Sequence, residues 1–172
     1  MKTLKPNTPG NHTPFFVDNE VIVLTKNGIW LADGIEISHE PTRRLFAKSL
    51  IKGQNGYHLH IGRETKDIYV EDTAYFIHRI EGAPETGYKL WINDETQESL
   101  DPTTLKYQPG RLTCKIKNGT RNGTEKGTEE AKFLHSAYHD LLKELKQDSA
   151  SYYLEFGAAE GCLRIDVAPA GP

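Results

Sequence analysis

The chain has 172 residues, 37% of them hydrophobic and 26% charged, with a formal net charge of −3. That length holds one domain, or two small lobes on a shared core, and is enough to fold without disulfides or a structural metal. Residues 1–86 carry 10 basic and 11 acidic side chains and residues 87–172 carry 11 and 13, so neither half has the positive field that grips long nucleic acid or an anionic membrane.

The first 14 residues, MKTLKPNTPGNHTP, combine three prolines with polar neighbours and no hydrophobic period, and read as a tail. No apolar run follows their lysines, which argues against a signal peptide, and no stretch reaches the 18 or so apolar residues of a membrane span. The expected setting is the cytoplasm, with Cys114 and Cys162 reduced and packed within strands.

From residue 15 onward, VIVLT (21–25) and IWLADGIEI (29–37) read as strands joined by Lys26-Asn27-Gly28, Asn-Gly being the preferred pair for a tight hairpin. A helix is expected next, opened at Ser38 or Glu40, with Pro41 in its first turn and Gly53 closing it. Strands follow at 57–61, 66–70 and 74–80, before the breaker Glu81-Gly-Ala-Pro84. The grammar then repeats: strands at 88–93 and 111–117 about a turn-rich stretch (94–104), a Gly-rich loop, a long helix from Thr128 to Gln147, and strands at 151–156 and 162–167. The pattern is that of an α+β protein made of two similar sheet-plus-helix units, 15–86 and 87–168, between tails at 1–14 and 169–172.

Four features carry chemistry. In YHLHI the side chains alternate, so Tyr57, Leu59 and Ile61 face a core while His58 and His60 face away; with Glu64 or Asp67 they are half a metal site at most, and a solvated strand face is the preferred reading. His135 and His139 stand four apart on the second helix, but Ser136 occupies the place where a His-Glu-x-x-His motif needs its glutamate, so they read as helix flank. The loop NGTRNGTEKGTEE lacks phosphate-loop spacing, and Glu129 and Glu130, placed in a first helical turn, would repel an anion. On the first helix, at about 100° per residue from Arg43, Phe46, Leu50 and Ala47 fall at roughly 300°, 340° and 40°. Arg43 thus sits amid the apolar face and needs an acceptor, either an internal carboxylate such as Glu71 or Asp72, which is preferred, or an anionic ligand. No G-x-S-x-G elbow or cysteine–histidine pairing marks a nucleophile.

Taken together, Trp30, Gly34, Leu45, Phe46, Ala47, Leu50, Tyr57, Val70, Asp72 and Tyr75-Phe76, with KLWIN ending at Asn93 and the closing EEAKFLHSAYHDLL and YYLEFGAAEGCLRI, resemble an uncharacterised bacterial family, domain of unknown function 1285. The similarity spans about 28–167 and departs from the family pattern at Ala74, Ile61-Gly-Arg-Glu64 and Ile92. The resemblance implies a duplicated α+β architecture, a second unit that is pleckstrin-homology-like, a cleft between the halves as binding site, and a signalling role with a nucleotide-like ligand. The expected function is a non-enzymatic ligand-sensing or regulatory module without a cofactor, in which Arg43, Glu71, Asp72, Trp91 and Asn93 lie near the groove between the units. The rivals are a metal-dependent enzyme using His58 and His60, and a protein-interaction adaptor using a strand edge.

Overall fold

A computed structural model describes residues 15–117, 128–157 and 163–169, so the N-terminal tail, the Gly-rich loop 118–127 and Cys162 lie outside the described residues. The first hairpin forms as its turn residues dictate: β1 (Ile22–Leu24) and β2 (Trp30–Ala32) pair antiparallel, with Gly28 at φ +77°. The stretch 29–37, expected to be one strand, is two. Asp33 and Gly34 both take positive φ (48° and 81°), the conformation of a tight Asp-Gly turn, and fold β3 (Ile35–Glu36) back on β2.

Helix α1 (Glu40–Lys48) follows an extended N-cap at His39, has Pro41 in its first turn and buries Phe46 and Ala47. It stops at Ser49 rather than running to Gly53, because Leu50–Gly53 forms β4 against β5 (Gly56–Ile61). Cross-strand pairing there outweighs continuation of the helix. Beyond β5, β6 (Glu64–Val70) lies antiparallel to it and parallel to β1, giving a six-stranded sheet in the order β3-β2-β1-β6-β5-β4.

The second sheet repeats the plan. Its strands are β7 (Tyr75–Ala83), β8 (Gly87–Ile92), β9 (Gln97–Ser99), β10 (Lys106–Gln108), β11 (Arg111–Lys117) and β12 (Thr128–Phe133), in the order β10-β11-β12-β7-β8-β9. In both sheets the first and sixth strands pair parallel at the centre, each flanked by an antiparallel meander. A helical segment follows the third strand in both: α1 in the first unit, the 3-10 turn Pro102–Thr104 in the second. The described residues are therefore mostly sheet with two helices, built around two similar six-stranded units. Strand β7, read in sequence as the end of the first unit, belongs to the second sheet.

The long second helix is the largest difference from expectation. Residues Thr128–Phe133 are strand β12, and α2 covers only His135–Leu142. The alternation is plain once burial is known, since Glu129, Ala131 and Phe133 face inward at 8%, 0% and 3% exposure. A buried glutamate among good helix formers hides that period. After α2, β13 (Lys146–Gln147), β14 (Ser151–Phe156) and β15 (Leu163–Pro169) make a small third sheet. It seats Leu154 and Phe156 in the common core, where Phe156 meets Tyr88 edge to face. One hydrophobic cluster runs from Leu24, Trp30 and Phe46 through Phe76 and Leu90 to Leu141. Among the described residues no helix is long and apolar enough to cross a membrane.

Candidate functional site at the junction of the two units

The units meet where the β1–β2 turn packs on β7: a Cβ placed on Gly28 would lie 3.3 Å from the Phe76 ring. The segment joining the sheets, Glu71–Ala74, passes beside this contact. Glu71 accepts a hydrogen bond from the Lys26 amide at 2.8 Å, and Lys132 Nζ donates to the Lys26 carbonyl, also at 2.8 Å. Asp72 takes a two-pronged interaction from Arg111, Nη2 to Oδ1 at 2.9 Å and Nε to Oδ2 at 3.2 Å, with Lys132 Nζ 3.3 Å from Oδ2. Arg111 also binds Glu130, which Lys106 approaches to 3.7 Å. Three cations thus converge on two carboxylates at the junction. The side chains of Arg111, Asp72 and Lys132 are 26%, 21% and 14% exposed, enough shielding for the charges to count and enough opening for solute to reach them.

Arg111 is the main cause that holds the Asp72 carboxyl below the usual range, against the opposing effect of burial, and Lys132 adds to it. In return Asp72, and then Glu130, push the Arg111 guanidinium further up. A carboxyl with a depressed folded-state pKa stabilises fully above its unfolded value of about 4 and loses that contribution as pH falls through the lower folded value. Asp72→Asn is therefore expected to cost about 1 kcal/mol at neutral pH, a figure reduced for partial exposure, and nothing at pH values below the folded pKa. Urea unfolding of the two proteins across acidic pH checks this, and the two stability curves should converge only at the acid end.

Two further charged links cross the same boundary. Glu129, on β12, accepts from Lys52 Nζ at 2.8 and 3.0 Å and from the Tyr57 hydroxyl at 2.7 Å, both on the β4–β5 hairpin. Burial first, and then the bond to Glu129, raise the Tyr57 phenol well above its ordinary value. In the second, Arg44 and Lys48 of α1 reach Glu95 in the β8–β9 turn.

The residues singled out in the sequence are divided among different roles. Asp72 lies in the junction cluster, and Glu71 beside it holds the Lys26 amide. Asn93 braces the start of β7, accepting from the Phe76 amide at 3.0 Å and donating to the Ala74 carbonyl at 3.3 Å. Trp91 stacks under Arg79 and Lys89, 4.8 and 5.4 Å from its ring centre. Arg43 is half-buried on α1 and makes no side-chain hydrogen bond or ion pair among the described residues. Its expected partners Glu71 and Asp72 are engaged elsewhere, and half-exposure lets water satisfy the guanidinium.

His58 lies across from Asp67 on the face of β5 opposite the buried Leu59, beside Gln54 and Asn55 in a cavity of 310 Å³. His60 meets the Thr65 hydroxyl at 3.1 Å, and Glu64 turns away to accept the Phe15 and Phe16 amides. No three His, Cys, Asp or Glu side chains among the described residues converge on a metal-sized site. Burial pushes the Cys114 thiol up to about 12, which removes it as a thiolate nucleophile. Glu129 and Glu130, expected in a helical first turn, are strand residues bound to cations and so do not flank a helix N-terminus. Cavities of 310–440 Å³ lined by described residues lie at the β4–β5 hairpin, beside β7, β8 and β9, between the β7–β8 turn and β14, and along β6 next to Val21.

Sequence reasoning did not find Lys52, Tyr57, Arg111, Glu129, Glu130 or Lys132 as junction residues. The one local signal was the inward alternation of β12, and its inward glutamate concealed it.

Two six-stranded sheets, each with a parallel pair at its centre, define the class of fold, and solved structures share that fold. No family model matches the sequence, and no curated protein matches it. A DUF1285 family protein from Silicibacter pomeroyi DSS-3 superposes with a TM-score of 0.59 at 13% identity, covering 87% of this chain and 80% of that one. A second, from Shewanella baltica OS155, gives a TM-score of 0.53 at 18% identity, covering 74% of this chain and 94% of that one. The chain has the fold of these DUF1285 family proteins, the family that its sequence resembles.

Proposed function

We propose that the protein is a cytoplasmic, non-enzymatic regulatory module that senses an anionic, nucleotide-like small molecule at the junction between its units. The observation that carries this reading is the convergence of Arg111, Lys132 and Lys106 on Asp72 and Glu130. An arginine fork that grips a carboxylate grips a phosphate in the same way, and a lysine beside it adds charge. An anion entering here competes with Asp72, which sits in the segment joining the two sheets, so binding is coupled to how the units are tied. Arg111 keeps its proton, so it would hold an anion rather than exchange a proton with it.

The test is thermal unfolding of the full chain against nucleoside phosphates, pyrophosphate and phosphorylated metabolites, using the parent, Arg111→Gln, Lys132→Met and Arg43→Ala. A specific ligand at a hundred times its Kd adds about 2.7 kcal/mol. The expected shift survives Arg43→Ala and is lost in both junction variants. A shift that survives Arg111→Gln and Lys132→Met overturns the assignment, as does the absence of any shift beyond that of sulfate at equal ionic strength.

One observation favours a second reading, the adaptor. Val21 and Tyr69, 57% and 64% exposed, open to solvent on the outer side of the first sheet, and Ile35 is 74% exposed at its edge. Concentration-dependent association in sedimentation velocity, abolished by Tyr69→Lys, supports it.

A further inference from the structure

We propose that His135 and His139 form a two-histidine chelate for a divalent transition-metal ion on the outer face of α2. Both imidazoles are solvent-exposed, while Ala137 and Leu141, on the opposite side of the helix, are fully buried against the core. The ring centres lie 4.3 Å apart at 74°. With a metal–nitrogen bond of about 2.0 Å and roughly 1.1 Å more from nitrogen to ring centre, two imidazoles bound cis at about 90° have centres about 4.4 Å apart. The pair therefore stands at chelating separation.

The platform is held before any metal arrives. Ser136 Oγ donates to the His78 carbonyl at 2.9 Å, and the Leu134 amide donates to the Ile77 carbonyl at 2.9 Å, fixing the first turn of α2 to β7. Tyr138 bonds Tyr107 of β10 and packs edge-on to His139 at 5.5 Å. Preorganisation of this kind lowers the entropy lost on binding.

Because the protein supplies two nitrogen ligands and water the rest, the site suits an exchangeable ion rather than a structural one. Its order of preference places Cu²⁺ above Ni²⁺ and Zn²⁺. The absence of a glutamate at Ser136 removes the general base of a metallopeptidase but none of the chelate. The site is independent of the junction cluster and stands or falls separately from it.

The experiment is calorimetric titration of Cu²⁺ and Zn²⁺ onto the tag-free full chain, alongside His135→Ala, His139→Ala and a His58→Ala/His60→Ala double variant, with circular dichroism confirming that each is folded. We expect one equivalent of Cu²⁺ bound more tightly than Zn²⁺, a loss of about a hundredfold in either α2 variant as the second ligand ceases to be intramolecular, and parent-like affinity in the double variant. Parent-like binding in either α2 variant overturns the inference. So does a loss confined to the His58/His60 variant, or failure of the parent to bind Cu²⁺ at micromolar concentration.

Discussion

Phe76→Ala should lower the free energy of unfolding by about 3–5 kcal/mol, the cost of emptying a fully packed phenylalanine site. Phe76 is 1% exposed on the central strand of the second sheet, and the Gly28 turn of the first unit rests on its ring. The lost contact is therefore between units as well as within one. Urea unfolding followed separately by tryptophan fluorescence and far-ultraviolet circular dichroism should give one coincident transition for the parent and for the variant. Trp30 lies in the first unit and Trp91 in the second, so divergence of the two probes would mean that the sheets unfold independently.

The second large effect is an ordered pair. Lys52→Met should cost about 2–3 kcal/mol, whereas Glu129→Gln should cost only about 1 kcal/mol. The asymmetry follows from exposure: the Glu129 side chain is 9% exposed and that of Lys52 is 55% exposed. Removing the lysine leaves a buried carboxylate with the Tyr57 hydroxyl as its one side-chain donor among the described residues. Converting the glutamate to glutamine preserves an acceptor for both donors and leaves a lysine that water can solvate. Denaturant midpoints at neutral pH give the order, and equal or reversed costs would mean that Glu129 is solvated in the folded protein.

Much of the architecture is legible from local chemistry. Asn27-Gly28 fixes the first hairpin, Pro41 marks the first turn of α1, and the alternation of YHLHI sets the faces of β5. What escapes local chemistry is decided by distant partners. Residues 128–133 are rich in helix formers yet become a strand, because β7 and β11 pair with them on either side. Leu50–Gly53 leave the helix because β5 offers a ladder. The site behaves in the same way. Local chemistry marks Asp72 only as a possible acceptor for Arg43; its partner Arg111 lies 39 residues away, and Lys52 and Glu129 are 77 apart, so no spacing rule joins them. Arg43 shows the opposite failure: its helical position is apolar by angle, while its half-exposure near the start of a short helix relieves the charge.

The central claim, that an anion is read at the junction of the two sheets, is tested most directly by amide hydrogen exchange of the full chain with and without pyrophosphate. Exchange should change in the joining segment 71–74 and in the strand segments around Arg111 and Lys132, and stay unchanged around the 310 Å³ cavity at residues 53–58. Identical exchange with and without pyrophosphate, or a change confined to that cavity or to α1, would contradict the account.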